Sequence, residues 1–205
     1  MSQAKTMQAV RAYHADPTSL TYEPVPRPIP GPDEVLVAVH ATAVTAGELS
    51  WTEQWPVIPA HDVSGVVAEV GARVTDLPGA AAEYVAVPAV DLAAKPASID
   101  HASAATVPLG ALTAWQALVE HGRLTKGQHV LVHGGAGGVG GYTVQLAAQL
   151  GARVTATASA ADAEFVRALG ADTAIDYTTR FEDQVGDVDM VVDTVGGGTL
   201  ARSWQ

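Results

Sequence analysis

The sequence predicts an α/β chain in two parts: a small β-barrel followed by a doubly wound parallel sheet. Three observations carry this expectation. Short strand patterns recur at regular spacing through the first hundred residues. Around Asp100 the texture changes to an alanine-rich, helix-friendly stretch. From Gln128 onward strand and helix patterns alternate, which is the pattern of parallel strands joined by crossover helices.

Taken in order, residues 7–13, 20–25, 34–41, 63–70 and 82–87 read as strands. The proline-rich stretch 24–32 separates the second from the third. Regular short strands of this kind suggest a barrel. Residues 103–119 read as helix, broken by Pro108. Then come a strand at 130–133, a helix over 138–150, a strand at 154–157, a helix over 161–169, and strands at 173–175 and 189–193. The domain boundary is expected between residues 100 and 110, giving a barrel domain at 1–107 and a parallel-sheet domain at 108–205.

Composition narrows the partners. The chain has 205 residues, 48% of them hydrophobic, enough to bury a core. Eleven basic residues against 22 acidic ones give a net charge of −11, which argues against nucleic acid or an anionic membrane surface as a partner. No cysteine is present, so disulfides and thiolate metal sites are excluded. No apolar run is long enough to span a membrane and the first residues lack a signal-peptide core, so a cytoplasmic protein is expected.

The most informative run is residues 131–141, Leu-Val-His-Gly-Gly-Ala-Gly-Gly-Val-Gly-Gly. Gly135, Gly137 and Gly140 fit G-x-G-x-x-G between a strand and a helix whose apolar face is Val139, Thr143, Leu146, Ala147 and Leu150. A further strand at 153–157 completes a unit of the size that binds dinucleotides. In such a unit the glycines permit a tight turn, a close backbone approach to the pyrophosphate, and close helix–strand packing. The helix N-terminus faces the phosphates with free N–H groups. In NAD-binding sheets an acid ends the second strand and takes the ribose 2′-hydroxyl. That place reads Thr157-Ala158-Ser159-Ala160, without an acid, and Ser159 is a donor for a 2′-phosphate. His133 reads as a buried, hydrogen-bonded histidine, and the remaining histidines show no ligand spacing. Trp51 and Trp55 are core or interface residues, or the wall of a pocket for flat substrates.

Segments along nearly the whole chain resemble the medium-chain dehydrogenase/reductase superfamily, and within it the zinc-free quinone oxidoreductase-like branch. They are Pro28-Ile29-Pro30-Gly31-Pro32-Asp33-Glu34-Val35-Leu36-Val37, Ile58-Pro59-Ala60-His61-Asp62-Val63-Ser64-Gly65-Val66-Val67, Ala82-Glu83-Tyr84-Val85 and Leu112-Thr113-Ala114-Trp115-Gln116-Ala117-Leu118. The glycine run, Ala168-Leu169-Gly170-Ala171-Asp172 and Asp193-Thr194-Val195-Gly196-Gly197 follow in the family's order. The resemblance implies a GroES-like barrel carrying the substrate pocket and a Rossmann domain binding NADP(H). Zinc members of the superfamily carry a cysteine and a Gly-His-Glu. Here those places read Thr45, with Glu48 as acidic partner, and Ala60-His61-Asp62, and the four-cysteine lobe is absent. No metal site is therefore expected, and His61 reads first as a pocket-wall or hydrogen-bonded structural residue.

By the resemblance, cofactor contacts fall on Gly135, Gly137, Gly138, Val139, Gly140, Ser159, Tyr177, Thr113, Val195 and Gly196. Thr113 reads equally as a helix-cap or buried threonine. The chain departs from the family at Ala161-Asp162-Ala163, where a Lys or Arg often follows the serine, with Arg180 or Arg167 left to compensate. NADP(H) is favoured over NAD(H). The implied activity is hydride transfer from NADPH to a quinone or α,β-unsaturated carbonyl without zinc. Pocket candidates are Thr45, His61 and Thr113, and the proton donor stays open among His61, Glu48 and solvent. A non-catalytic NADPH-binding sensor or structural relative is the alternative; a zinc-type alcohol dehydrogenase is disfavoured by the missing cysteines. A small-molecule substrate is the expected partner, and the family also implies a homodimer. Relative to the family, the links Gln54-Trp55-Pro56 and Leu77-Pro78-Gly79 are short, and the sheet is expected to be partial after residue 204. Had segments been dropped at these links, long gaps would separate the residues flanking them.

Overall fold

The structure, a computed structural model, describes residues 5–45, 47–70 and 81–204. The chain divides between Pro108 and Leu109 into two compact units.

The first unit is antiparallel β. Strands β1 (Thr6–Arg11) and β2 (Thr21–Pro26) form a two-stranded ladder, with Met7 opposite Val25 and Ala9 opposite Glu23. Strand β3 (Glu34–Ala43) lies between β4 (Asp62–Val70) and β5 (Tyr84–Pro88). Bridges at Ala9–Ala82 and Ala12–Val57 tie the ladder to the rest of the unit. Val35, Val37 and Val85 form one buried cluster, and Met7, Ala9 and Val25 another. The first strand is shorter than predicted for a local reason. Ser19 Oγ accepts the N–H groups of Tyr13 and His14 at 3.2 and 3.3 Å and draws the chain out of the ladder. Of the two short links, the first runs unbroken through the Trp55–Pro56 peptide, and the second lies outside the described residues.

The predicted helix over 103–119 is observed in three pieces. Helix α1 (His101–Ala105) is capped by Asp100, whose carboxylate accepts the Ser103 N–H at 2.7 Å. Helix α2 (Pro108–Trp115) starts at the proline, where a missing N–H costs nothing. A π-helical turn (Gln116–His121) follows it.

The second unit is a four-stranded parallel sheet. Its strands are β6 (His129–His133), β7 (Arg153–Ala158), β8 (Thr173–Asp176) and β9 (Met190–Asp193). Helices α3 (Gly138–Gln149) and α4 (Ala163–Ala168) connect them, and α5 (Gly197–Arg202) follows β9. Strand β6 is buried along its whole length, as a central parallel strand must be. Val130, Val132, Val144, Ala147, Val154, Ala156 and Val166 form the core, and their small size lets helix and sheet pack closely. The chain steps from β6 through β7 to β8 in one direction, then crosses back to place β9 on the other side of β6. That reversal is the point where open parallel sheets bind ligands, beyond the strands' C-terminal ends. Among the described residues no helix is long and apolar enough to cross a membrane.

Candidate functional site

Four loops leave the C-terminal ends of the parallel strands. After β6 the backbone turns at Gly134, with φ at 74°, a left-handed conformation that glycine takes without strain. The sequence motif began one residue later, at Gly135, so the turn glycine was missed. The signal for it was the doubled glycine after a strand. The loop is pinned by Gly135 N–H donating to the Thr157 carbonyl at 2.8 Å and Gly137 N–H to the Gly134 carbonyl at 2.9 Å. Gly137 caps α3 without a side-chain partner. The first-turn N–H groups of the helix, on Gly138, Val139 and Gly140, have no carbonyl a turn earlier to donate to. A Cβ on Gly138 would meet nothing within 4 Å, so the loop is open there, as a phosphate approach requires. A Cβ on Gly140 would overlap the Gly134 carbonyl oxygen, so glycine is required for helix and loop to close on each other.

The other predicted cofactor contacts lie in the same unit. Val195 follows β9 and is 60% exposed; its Cγ2 would lie 3.1 Å from a Cβ on Gly134. The Asp193 carboxylate holds that loop by accepting the N–H groups of Val195 and Gly196 at 2.8 and 3.0 Å. Tyr177 follows β8, is 54% exposed, and donates its backbone N–H to the Ala158 carbonyl at 3.0 Å, which sets it beside Ser159. Thr113 is exposed on α2, its hydroxyl donating to the Leu109 carbonyl at 2.7 Å. Helix α2 meets the start of α3 at Gly110, where a Cβ would come 3.3 Å from the Gly138 carbonyl oxygen.

Ser159 departs from the reading of a free donor. It caps a 3₁₀ turn (Ala160–Asp162), accepting the Asp162 N–H at 3.2 Å and donating its hydroxyl to the Asp162 carboxylate at 2.6 Å. The end of β7 thus carries an acid after all. It is absent from residues 157–160, and the turn folds it back. Its signal was distance: Asp162 comes 22 residues after Gly140, close to the spacing of the ribose-binding acid in dinucleotide folds. Arg180 pairs with Asp183 at 2.9 Å, and Arg167 stands exposed in the last turn of α4.

His133 ends β6 just before the loop and is fully buried. Its ring nitrogens lie 3.1 Å from Thr157 Oγ1 and 2.9 Å from Ser203 Oγ. Phe181 meets its ring edge-on at 4.7 Å. Burial holds the imidazole below its ordinary value of 6.5; nearby Arg202 works in the same direction and Asp193 opposes it.

In the first unit, Thr45 and His61 are joined by Glu48. The Glu48 side chain is 3% exposed while that of His61 is 64% exposed. One carboxylate oxygen accepts the Thr45 N–H at 2.9 Å. The other accepts the Ala60 N–H and lies 3.1 Å from His61 Nδ1. A carboxylate only accepts, so Nδ1 is the donor of this pair. Ala60 is fully buried with φ at 72°, a rare conformation for a residue with a side chain. This is why a glycine suits that place in the Gly-His-Glu pattern. The Trp51 ring lies 5.8 Å from that of His61, while Trp51 itself stays exposed. Among the described residues no group of three or more His, Asp or Glu is placed to hold a metal ion.

Comparison with known proteins agrees with this architecture. The family models described as alcohol dehydrogenase GroES-like domain and zinc-binding dehydrogenase match residues 31–78 and 138–205. An NADPH-dependent alkenal/one oxidoreductase of Arabidopsis thaliana is 39% identical over 195 residues, covering 80% of this chain and 50% of the relative. Eighty per cent of 205 residues is 164, so the 195 aligned positions include segments the relative has and this chain lacks. The chain spans about half the length of such relatives. The quinone oxidoreductase of Coxiella burnetii superposes with a TM-score of 0.86 at 31% identity, covering 97% of this chain and 72% of that one. A mycobacterial protein solved in complex with NADPH gives 0.85 at 30% identity, covering 96% and 69%. The chain belongs to the medium-chain dehydrogenase/reductase superfamily, in its quinone oxidoreductase-like branch.

Proposed function

We propose that the chain is an NADPH-dependent, zinc-free reductase of quinones or α,β-unsaturated carbonyls. The observation that carries this reading is the C-terminal edge of the parallel sheet, where the Gly134–Gly140 and Val195-Gly196 loops flank the switch point between β6 and β9, with Ser159 and Tyr177 following the neighbouring strands. The bound nicotinamide would supply the hydride. The chain's own part is to bind and orient. Gly138, Val139 and Gly140 offer backbone N–H groups and an open approach to the pyrophosphate, Gly137 closes the turn that presents them, and the dipole of α3 adds a positive end. Val195, Gly196 and Thr113 are proposed as contacts nearer the nicotinamide, and Ser159 with Tyr177 as the surroundings of the adenosine ribose.

Donor chemistry supports leaving zinc out. The sequence has no thiolate to offer, and the Glu48 carboxylate is already taken by two backbone N–H groups and His61. Quinones and enones accept hydride at carbon without strong Lewis-acid help, which fits such a site. Thr45 and His61 are the proposed substrate-side residues of the first unit. The test is NADPH oxidation against a panel of quinones and enones, with metal analysis of the purified protein. Turnover of a quinone or enone without stoichiometric metal is the expected result. Nucleotide binding with no turnover of any acceptor overturns the reductase reading, and stoichiometric zinc overturns the zinc-free one.

A further inference from the structure

We infer that Asp162 is a specificity-determining residue. By holding the Ser159 hydroxyl, it weakens recognition of a ribose 2′-phosphate, so that the chain takes NADH as well as NADPH. This rests on the reading of the second unit as a dinucleotide site. The argument is a count of hydrogens at the end of β7. A serine hydroxyl has one proton to donate and two lone pairs. Ser159 spends its proton on the Asp162 carboxylate at 2.6 Å and one lone pair on the Asp162 N–H at 3.2 Å. What remains can only accept. A phosphate offers only acceptors at neutral pH and carries close to two negative charges. In this arrangement Ser159 has nothing to give it.

Charge points the same way. Asp162 sets a carboxylate three residues after β7, and Asp176 ends the neighbouring β8 with its carboxylate turned to Thr178. The cation closest in sequence after Tyr177, Arg180, is paired with Asp183 at 2.9 Å and lies 3.7 Å from Glu182. A 2′-phosphate would enter beside two carboxylates and a neutralised arginine. A ribose 2′-hydroxyl is a donor, and the spare lone pairs of Asp162 suit it directly. The acid therefore does for the unphosphorylated ribose what it withholds from the phosphorylated one.

The test is the dissociation constant of NADPH and of NADH for the full chain at fixed ionic strength, in the wild type, Asp162→Ala, Asp162→Asn and Asp162→Ala/Ser159→Ala. Wild type is expected to bind the two nucleotides within about tenfold of each other. Asp162→Ala frees the hydroxyl and removes the charge, so the preference for NADPH rises by about tenfold or more. Asp162→Asn, whose amide oxygen still accepts from Ser159, gains less. Removing Ser159 in the alanine background takes back part of the gain. If both nucleotides bind but neither Asp162 variant moves their ratio, the inference is overturned while the proposed function stands. If neither nucleotide binds the wild type, the dinucleotide reading itself has failed.

Discussion

Gly140 sits against Gly134 so closely that any side chain on Gly140 would overlap the Gly134 carbonyl oxygen. Two positions earlier in α3's first turn the situation reverses, because Gly138 faces open space. The two glycines therefore separate folding from binding. Gly140→Ala is expected to cost about 1–3 kcal/mol, as overpacking does. Gly138→Ala is expected to leave the melting temperature nearly unchanged, since alanine favours a helix, while weakening NADPH binding by placing a methyl group in the phosphate approach. Thermal melts and nucleotide titration of both variants check this. Equal effects on stability would contradict it.

Glu48 and His61 are expected to behave unequally on substitution. Glu48→Ala strands the buried Ala60 N–H and the Thr45 N–H, at a cost of about 1–3 kcal/mol. His61→Ala removes a mostly exposed ring and is expected to cost less than about 1 kcal/mol. Urea unfolding of the two variants measures the difference. A His61 variant as unstable as the Glu48 one would show that the imidazole, and not the carboxylate, organises this loop.

Ala60 offers a gain. Its left-handed backbone costs a residue with a Cβ about 1–2 kcal/mol, part of which glycine recovers after its larger loss of chain entropy. Ala60→Gly is expected to raise the melting temperature and keep the Glu48 contact. A lower melting temperature would mean that the buried Ala60 methyl group contributes more than its backbone loses.

His133 gives stability a pH dependence. Its folded value is lowered from 6.5, so between the folded value and 6.5 the unfolded chain binds more protons than the folded one. The contribution is complete above 6.5 and is lost as pH falls toward the folded value, where the slope flattens. Denaturant unfolding from pH 8 to pH 5 is expected to show wild type losing more stability than His133→Asn. Parallel curves would assign the acid sensitivity elsewhere, for instance to His101, which burial also lowers.

Much of the fold was legible because its signals are local. A strand running into glycines and then a 3.6-residue apolar period needs no distant contact to be read, and residues 129–149 form as expected. Pro108 was read as a break and is the first residue of a helix, since a proline that ends one helix suits the start of the next. The motif marked Gly135, Gly137 and Gly140, the resemblance added Gly138, Val139, Val195 and Gly196, and Gly134, whose φ is positive, lay outside both because the motif fixes spacing and not φ.

The sequence by itself determined the order of the elements, the glycine loop, the absence of thiolates and the family likeness, all of which depend on residue type and short-range spacing. Tertiary structure alone decided which polar groups meet. It brought Glu48 to His61 across 13 residues of chain, and the 3₁₀ turn brought Asp162 back onto Ser159. A side chain's proton goes to whatever acceptor the backbone sets within hydrogen-bonding reach. For that reason an acid that lies outside residues 157–160 in the sequence is, in the folded chain, the partner of the serine at the end of β7.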